Sequence, residues 1–384
     1  MDIPQRRFFD GLPDRRRTDH IVKTAPLETL ATLARICGAL ALAGSPFPMT
    51  AETAPAPKIE WTWQQLPSVP DAEGFASAFA GVSHDALLVA GGANFPDKRP
   101  WEGGTKVWYD DVFVLPHPQG SWITAGKLPR PVAYGASLTT SRGIVCAGGG
   151  DAKGHFRSVF LLNWDGRQLR AAGLPDLPAP WAFGSGAAIG DRVYLVGGLA
   201  KPDATTAAAV FWMLDLARPA DGWQELPPCP GAARMLAQVG TVGDTVYVCG
   251  GVSLHPGPDG KPARTYLNDA YAYNPTGGWR RIADLPHGVA AAPSPMPVAV
   301  TGELLVISGD DGSRAHLIGP GHPGFLQEVF AYDPAQDRWR RASDAPISRA
   351  TAPTVCWRGA WIVASGERKP GYRSPEVWAL TARP

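Results

Sequence analysis

From Trp61 onward the chain sets short apolar runs between polar gaps rich in Gly and Pro, and the runs recur in a fixed order. The clearest of them end in two small residues: "LLVAGG" to Gly92, "IVCAGG" to Gly149, "VYLVGG" to Gly198, "VYVCGG" to Gly251, "LLVISG" to Gly309 and "WIVASG" to Gly366. A variable loop follows most of these, then a run with an aromatic residue, such as "DDVFVL", "AVFWML", "DAYAYN" and "EVFAYD". Most repeats continue with a tryptophan run ("GSWITAG", "DGWQELP", "GGWRRIA", "DRWRRAS"), then Leu-Pro or Ala-Pro and another apolar run. Runs this short, bounded by turn residues, predict strands rather than helices, four to each repeat. The paired small residues predict close backbone approach and a tight exit from the second strand.

Such sheets cannot bury both faces alone, but six of them packed radially can. The repeat length is close to the roughly 50 residues of kelch repeats, and the pattern resembles the kelch family of β-propellers from Trp61 to Leu380. The resemblance implies an all-β, six-bladed kelch-type propeller. "IEWTWQQLP" supplies a Trp strand with no partner before it, while the last repeat stops after "EVWAL". Pairing Trp61–Leu66 with the C-terminal sheet is therefore expected to complete the sixth blade and remove an exposed edge.

Composition agrees with many short strands: 44 Gly, 39 Pro and 14 Trp, with 18% charged residues. The formal charge of +1 offers no electrostatic case for nucleic acid or an acidic membrane surface. Cys37, Cys146, Cys229, Cys249 and Cys356 are scattered and lack CxxC spacing, so neither a zinc site nor a disulfide framework is expected. Residues 1–56 differ from the propeller assigned to 57–384. They run from "PDRRRTDH" through "LATLARICGALALAG" to "TAETAPAPK", the order of a signal peptide, and predict export to the periplasm. The apolar stretch is too short to span a membrane.

In a propeller, the loops between second and third strands and the loops between blades emerge on one face, where function concentrates. The blade-to-blade loops bring Arg130 with Tyr134, Trp181, Arg234, His287 and Arg349, a cationic set suited to a small anionic ligand. Glu367 stands out, because it follows the small pair where other repeats have Ala93, Gly150, Leu199, Val252 and Asp310. A partly desolvated carboxylate at a strand end is suited to proton transfer, and Arg373 in the same loop is suited to a substrate carboxylate. On residue chemistry alone, a solvated surface salt bridge is an equal reading of Glu367.

"SGERKPGYRSPEVW" resembles the active-site loop of the bacterial N-acetylneuraminate epimerase (sialic acid mutarotase) family, which carries a G-E-x-K-P-G-x-R pattern there. "GFASAFAGVSHDALLVAGGANF", which ends on Asn94 and Phe95, and "AYGASL" from Ala133 also look alike. In that family they follow the Glu loop, whereas here they precede it, so the chain looks like a cyclically permuted member. The resemblance implies Glu367 as proton acceptor and Arg373 as its neighbouring arginine. Arg234, Arg349, Arg130, Tyr134 and Asn94 complete the expected substrate-binding set. Arg234 in "PGAARMLAQ" and Gly288 in "PHGVAAAP" depart from the family's segments, with Leu236 where a polar residue stands. The implied substrate is a small acidic sugar, interconverted between anomers without metal, nucleotide or redox cofactor. Three rivals stand beside it. A sialidase is opposed by "SGDDGSR", which lacks the rest of an Asp box. A copper-radical oxidase is opposed by the lack of a Tyr, Cys and His constellation. A non-catalytic carbohydrate-binding or protein-interaction module remains open, since fold does not determine function.

Overall fold

The computed structural model describes residues 60–257 and 260–383; the signal-like segment and Cys37 lie outside the described residues. Six antiparallel sheets follow one another along the chain. The first blade comprises Phe79–Ser83, Ala86–Ala90, Asp111–Leu115 and Ile123–Lys127. The second and third follow from Ala136–Thr140 to Leu169–Leu174 and from Ser185–Ile189 to Gln224–Glu225. The fourth runs from Gln238–Val242 to Gly278–Ile282. The fifth has three strands, Leu304–Ile307, Glu328–Asp333 and Arg338–Asp344. Its innermost position is reduced to a single bridge between Val298 and Leu304. Pro293, Pro295 and Pro297 stand in that segment and lack the N–H groups a ladder needs.

The sixth blade orders Glu60–Leu66, Val377–Arg383, Ala360–Ala364 and Thr354–Trp357. The N-terminal strand pairs along its whole length with the C-terminal one, from Glu60 opposite Arg383 to Leu66 opposite Val377. The expected closure is present, and the fold is the all-β, six-bladed propeller. Deleting residues 60–66 is expected to expose the edge of Val377–Arg383 and to increase the aggregated fraction relative to the parent on size-exclusion chromatography.

The recurrent tryptophans bond one blade to the next. Indole N–H groups of Trp122, Trp223, Trp279 and Trp339 donate to the carbonyls of Pro67, Pro175, Pro227 and Ala283, at 2.7–2.9 Å. Each acceptor lies just after the outer strand of the preceding blade. The small pairs do the same nearer the axis. The N–H of Gly92, Gly149, Gly198, Gly251, Gly309 and Gly366 donates to Val132, Trp181, Arg234, Val289, Arg349 and Phe75, each in the loop that leads to the next blade. At Gly197 (φ +64°) a Cβ would sit 2.1 Å from the Arg234 carbonyl, so no larger residue fits. Blades five and six carry Ser308 and Ser365 at this place, and their hydroxyls accept the N–H of Arg349 and Phe75, both at 2.7 Å. Among the described residues no helix is long and apolar enough to cross a membrane.

Candidate active site at the channel mouth

In every blade the residue after the small pair bridges to the incoming blade-to-blade loop: Ala93 with Ala76, Gly150 with Ala133, Leu199 with Ala182, Val252 with Met235, Asp310 with Ala290 and Glu367 with Ala350. The next loop residue in each case has positive φ: Ser77, Tyr134, Phe183, Leu236, Ala291 and Thr351, between 50° and 66°. These six join backbone to backbone in a closed cycle. Ser77 N–H donates to Thr351, Thr351 to Ala291, Ala291 to Leu236, Leu236 to Phe183, Phe183 to Tyr134 and Tyr134 back to Ser77, at 2.7–3.1 Å. The cycle rims a channel walled by small residues, among them Gly135, Gly184, Ser185, Ala292 and Ala352. Left-handed backbone at non-glycine residues is costly, and its sixfold recurrence at one rim marks a place that the fold over-determines.

Glu367 enters this rim through a hairpin. Glu367–Lys369 pairs with Tyr372–Arg373, with Glu367 opposite Arg373 and Lys369 opposite Tyr372, and Arg368 taking up the register shift. Pro370 and Gly371 (φ +78°) turn the chain between them, the Pro-Gly order of a type II turn. A Cβ on Gly371 would also meet the Trp101 ring at 2.6 Å. The spacing of the E-x-K-P-G-x-R motif thus has a local cause: it sets a carboxylate and a guanidinium face to face across a two-residue turn.

Arg373 Nη1 lies 2.7 Å from Glu367 Oε1, with side-chain exposures of 3% and 17%. That pair is not the solvated surface bridge that residue chemistry left open. Arg373 Nε donates to the Ala93 carbonyl in blade one (3.3 Å), and the guanidinium stands 4.9 Å from the Phe95 centroid. Nη1 meets Glu367 as an ion pair outside hydrogen-bond geometry and has no hydrogen-bond partner.

The other expected residues divide. Tyr134 is at the rim, its ring stacked on Phe183 at 4.4 Å and its hydroxyl 3.0 Å from Lys106 Nζ. Arg234 is 1% exposed and holds Asp269 through two 2.9 Å bonds, with a further bond to the Gly250 carbonyl. Arg349, also buried, bonds Ser374, Glu376 and the Ser348 carbonyl. The two arginines occupy equivalent positions, since each supplies the carbonyl that a small-pair N–H reaches and each pairs with the acid that opens the next blade's third strand. They act as clamps between blades. Asn94 is buried with its amide fully used, donating to Asp71 and Gly74 and accepting from the Tyr109 hydroxyl. Arg130 is exposed and rests over Phe156 at 4.7 Å. Trp181 is fully buried and donates to the Gly197 carbonyl, and His287 pairs with Glu328 at 3.0 Å.

Two further groups stand at the rim. Asp310, the other carboxylate at a bridge position, accepts from the Tyr266 hydroxyl at 2.7 Å, and burial together with that bond pushes Tyr266 up to about 12. His155 lies against Phe183 with Nδ1 3.1 Å from the Leu199 carbonyl, and burial pushes it below the usual histidine range. Its proton therefore sits on Nδ1, facing the carbonyl. Sequence reading missed Lys106; the available signal was a lone cation between aromatics in "WEGGTKVW". Among the described residues no group of three or more His, Cys, Asp or Glu is placed to hold a metal ion.

The Glu376–Arg349 clamp gives a pH test. Burial raises the Glu376 carboxyl, but the Trp378 indole N–H and the Arg349 guanidinium outweigh it and hold it below its ordinary 4.5. Burial also lowers Arg349, which stays charged at any working pH. A lowered folded-state pKa contributes stability above the unfolded value and loses it as pH falls through the folded one. The stability gap between the protein and Glu376→Gln is therefore expected to be widest near neutrality and to close below pH ~4.5, as read by urea unfolding across pH.

Fold and site together define a six-bladed β-propeller with a carboxylate–arginine pair at its channel mouth. The sequence model of the N-acetylneuraminate epimerase family matches residues 49–171 and 174–278, more than half the chain, and the chain belongs to that family. The N-acetylneuraminate epimerase of Brucella suis (strain ATCC 23445 / NCTC 10510) is 41% identical over 123 residues, covering 28% of this chain and 31% of the relative. That of Haemophilus influenzae (strain 86-028NP) is 29% identical over 227 residues, covering 53% and 58%. The matches thus span from about a third to somewhat over half of those relatives' length. The solved structure of YjhT superposes with a TM-score of 0.62 at 16% identity, covering 83% of this chain and 99% of that one, which shows a shared fold.

Proposed function

We propose that the protein is a mutarotase that accelerates exchange between the α and β anomers of N-acetylneuraminate, with Glu367 as the proton-transferring base. The observation that carries this reading is the Glu367–Arg373 ion pair, nearly buried at the rim and set face to face by the Pro-Gly turn. Family membership supports the substrate class. The matched residues stop at 278, whereas the Glu loop lies at 366–373.

N-acetylneuraminate carries its carboxylate on the anomeric carbon. Glu367 takes the proton of the anomeric hydroxyl, whose oxygen becomes the ketone. The bond from the anomeric carbon to the ring oxygen breaks, its electron pair goes to that oxygen, and water or a second acid protonates it. Rotation about the adjacent carbon–carbon bond presents the ketone's other face. Attack by the ring hydroxyl and return of the protons close the opposite anomer. A single shuttling carboxylate is sufficient in principle. Arg373 holds Glu367 in place through their ion pair, while Tyr134 and Phe183 give the sugar's apolar face a platform.

Proton NMR of freshly released α-N-acetylneuraminate tests this. The expected result is faster appearance of the β anomer with the protein than without it. Binding without acceleration would favour the carbohydrate-binding module, and neither effect would sink both.

A further inference from the structure

We propose that Lys106 is the specificity residue of this site, holding the substrate carboxylate beside Tyr134 and so selecting an acid over a neutral sugar; the proposal rests on the mutarotase reading. Its ammonium lies 3.0 Å from the Tyr134 hydroxyl, 5.0 Å from the Tyr134 centroid and 5.7 Å from those of Phe95 and Trp108. Among the described residues it makes no ion pair with a carboxylate. Of the other cations around the mouth, one pairs with a carboxylate and two lie on backbone carbonyls away from these three rings. Arg99 grips Glu73 through two bonds of 2.6 and 3.0 Å, Lys369 donates to the Pro320 carbonyl, and Arg314 donates to the Gly324 carbonyl. Arg373 shares the Phe95 ring with Lys106, and its charge is matched by Glu367.

One positive charge is therefore unmatched where Phe95, Tyr134 and the Glu367–Arg373 pair meet. A cage of three aromatic rings commonly receives a cation from the ligand. Here the protein supplies that cation, so what remains to be bound is an anion. An ammonium has three donors, and the Tyr134 hydroxyl takes one, leaving two for carboxylate oxygens. Phe95 and Tyr134 are buried, and shielding on their side strengthens that contact. The tasks then separate: Arg373 positions the base, and Lys106 reads the charge.

The test compares N-acetylneuraminate with its methyl ester, which keeps the anomeric centre and removes the charge. The parent is expected to prefer the acid. Lys106→Met is expected to raise KM for the acid about 10- to 100-fold, the size of one charged hydrogen-bond contact. It should leave kcat within about threefold, because the contact holds ground state and transition state alike. The ester's kinetics should barely change, and Lys106→Arg should recover part of the preference. A merely structural lysine would not move the acid-to-ester ratio, so a Lys106→Met protein that keeps the parent's ratio overturns the proposal. If the parent accelerates neither compound, the mutarotase reading fails separately. Calorimetric binding of N-acetylneuraminate then decides: binding by the parent that weakens at least about tenfold in Lys106→Met supports Lys106, and equal or absent binding overturns it.

Discussion

Glu367→Gln is expected to abolish most of the acceleration of anomer exchange, by about 10²–10⁴-fold, the usual contribution of one positioned acid–base group. The substitution keeps the side chain's shape and removes its capacity to take a proton. It also leaves Arg373, 3% exposed, without the carboxylate that matches its charge. Breaking such a pair lowers stability, so the assay belongs well below the variant's melting temperature. Glu367→Asp separates the two effects, because it keeps the charge and withdraws it by one methylene. It is expected to keep more of the parent's stability than the Gln variant and still lose rate, since a misplacement of about 1 Å can cost on the order of 10²-fold. Exchange NMR on the three proteins at one temperature reads both. A Gln variant as fast as the parent would remove Glu367 from the chemistry.

Arg234→Met is expected to cost about 3–5 kcal/mol of folding stability, because it strands the Asp269 carboxylate between blades. The guanidinium is 1% exposed and holds that acid through two bonds, and the Arg234 carbonyl receives the Gly198 N–H. Arg234→Met combined with Asp269→Leu is expected to recover much of the loss, since an apolar replacement of both partners removes the buried charges together. Urea unfolding measures the stability. The KM of the folded variant decides the residue's role: unchanged if Arg234 is a clamp, raised if it touches substrate as the sequence suggested.

The sequence carried the architecture because each blade is a local unit. Four runs, a small pair and a Trp strand recur at nearly constant spacing, and the physical demands are the same in each copy. Gly197 and Gly371 have no room for a side chain, and the Trp indoles need a carbonyl acceptor in the neighbouring blade. Ring closure was legible too, since a Trp strand without partners and a sheet without its last strand complete each other. The Glu367 loop was readable for a related reason. Glu367 and Arg373 are opposed by a two-residue Pro-Gly turn, and turn chemistry is local.

The rest of the site was set by contacts between segments far apart in the chain. Sequence could count the arginines of the blade-to-blade loops but not their partners. Arg234 and Arg349 meet Asp269 and Glu376 in the next blade, and Asn94 spends its amide on Asp71, Gly74 and Tyr109. The missing strand of blade five followed from prolines whose absent N–H groups no repeat pattern reveals. Lys106 acquires its place when the loop leading into blade two sets Tyr134 against it. What the sequence by itself determined was the propeller and the hairpin bearing Glu367 and Arg373, because both follow from local pattern. Which charges are paired with which was decided by the tertiary structure, because electrostatic pairing depends on distance in space.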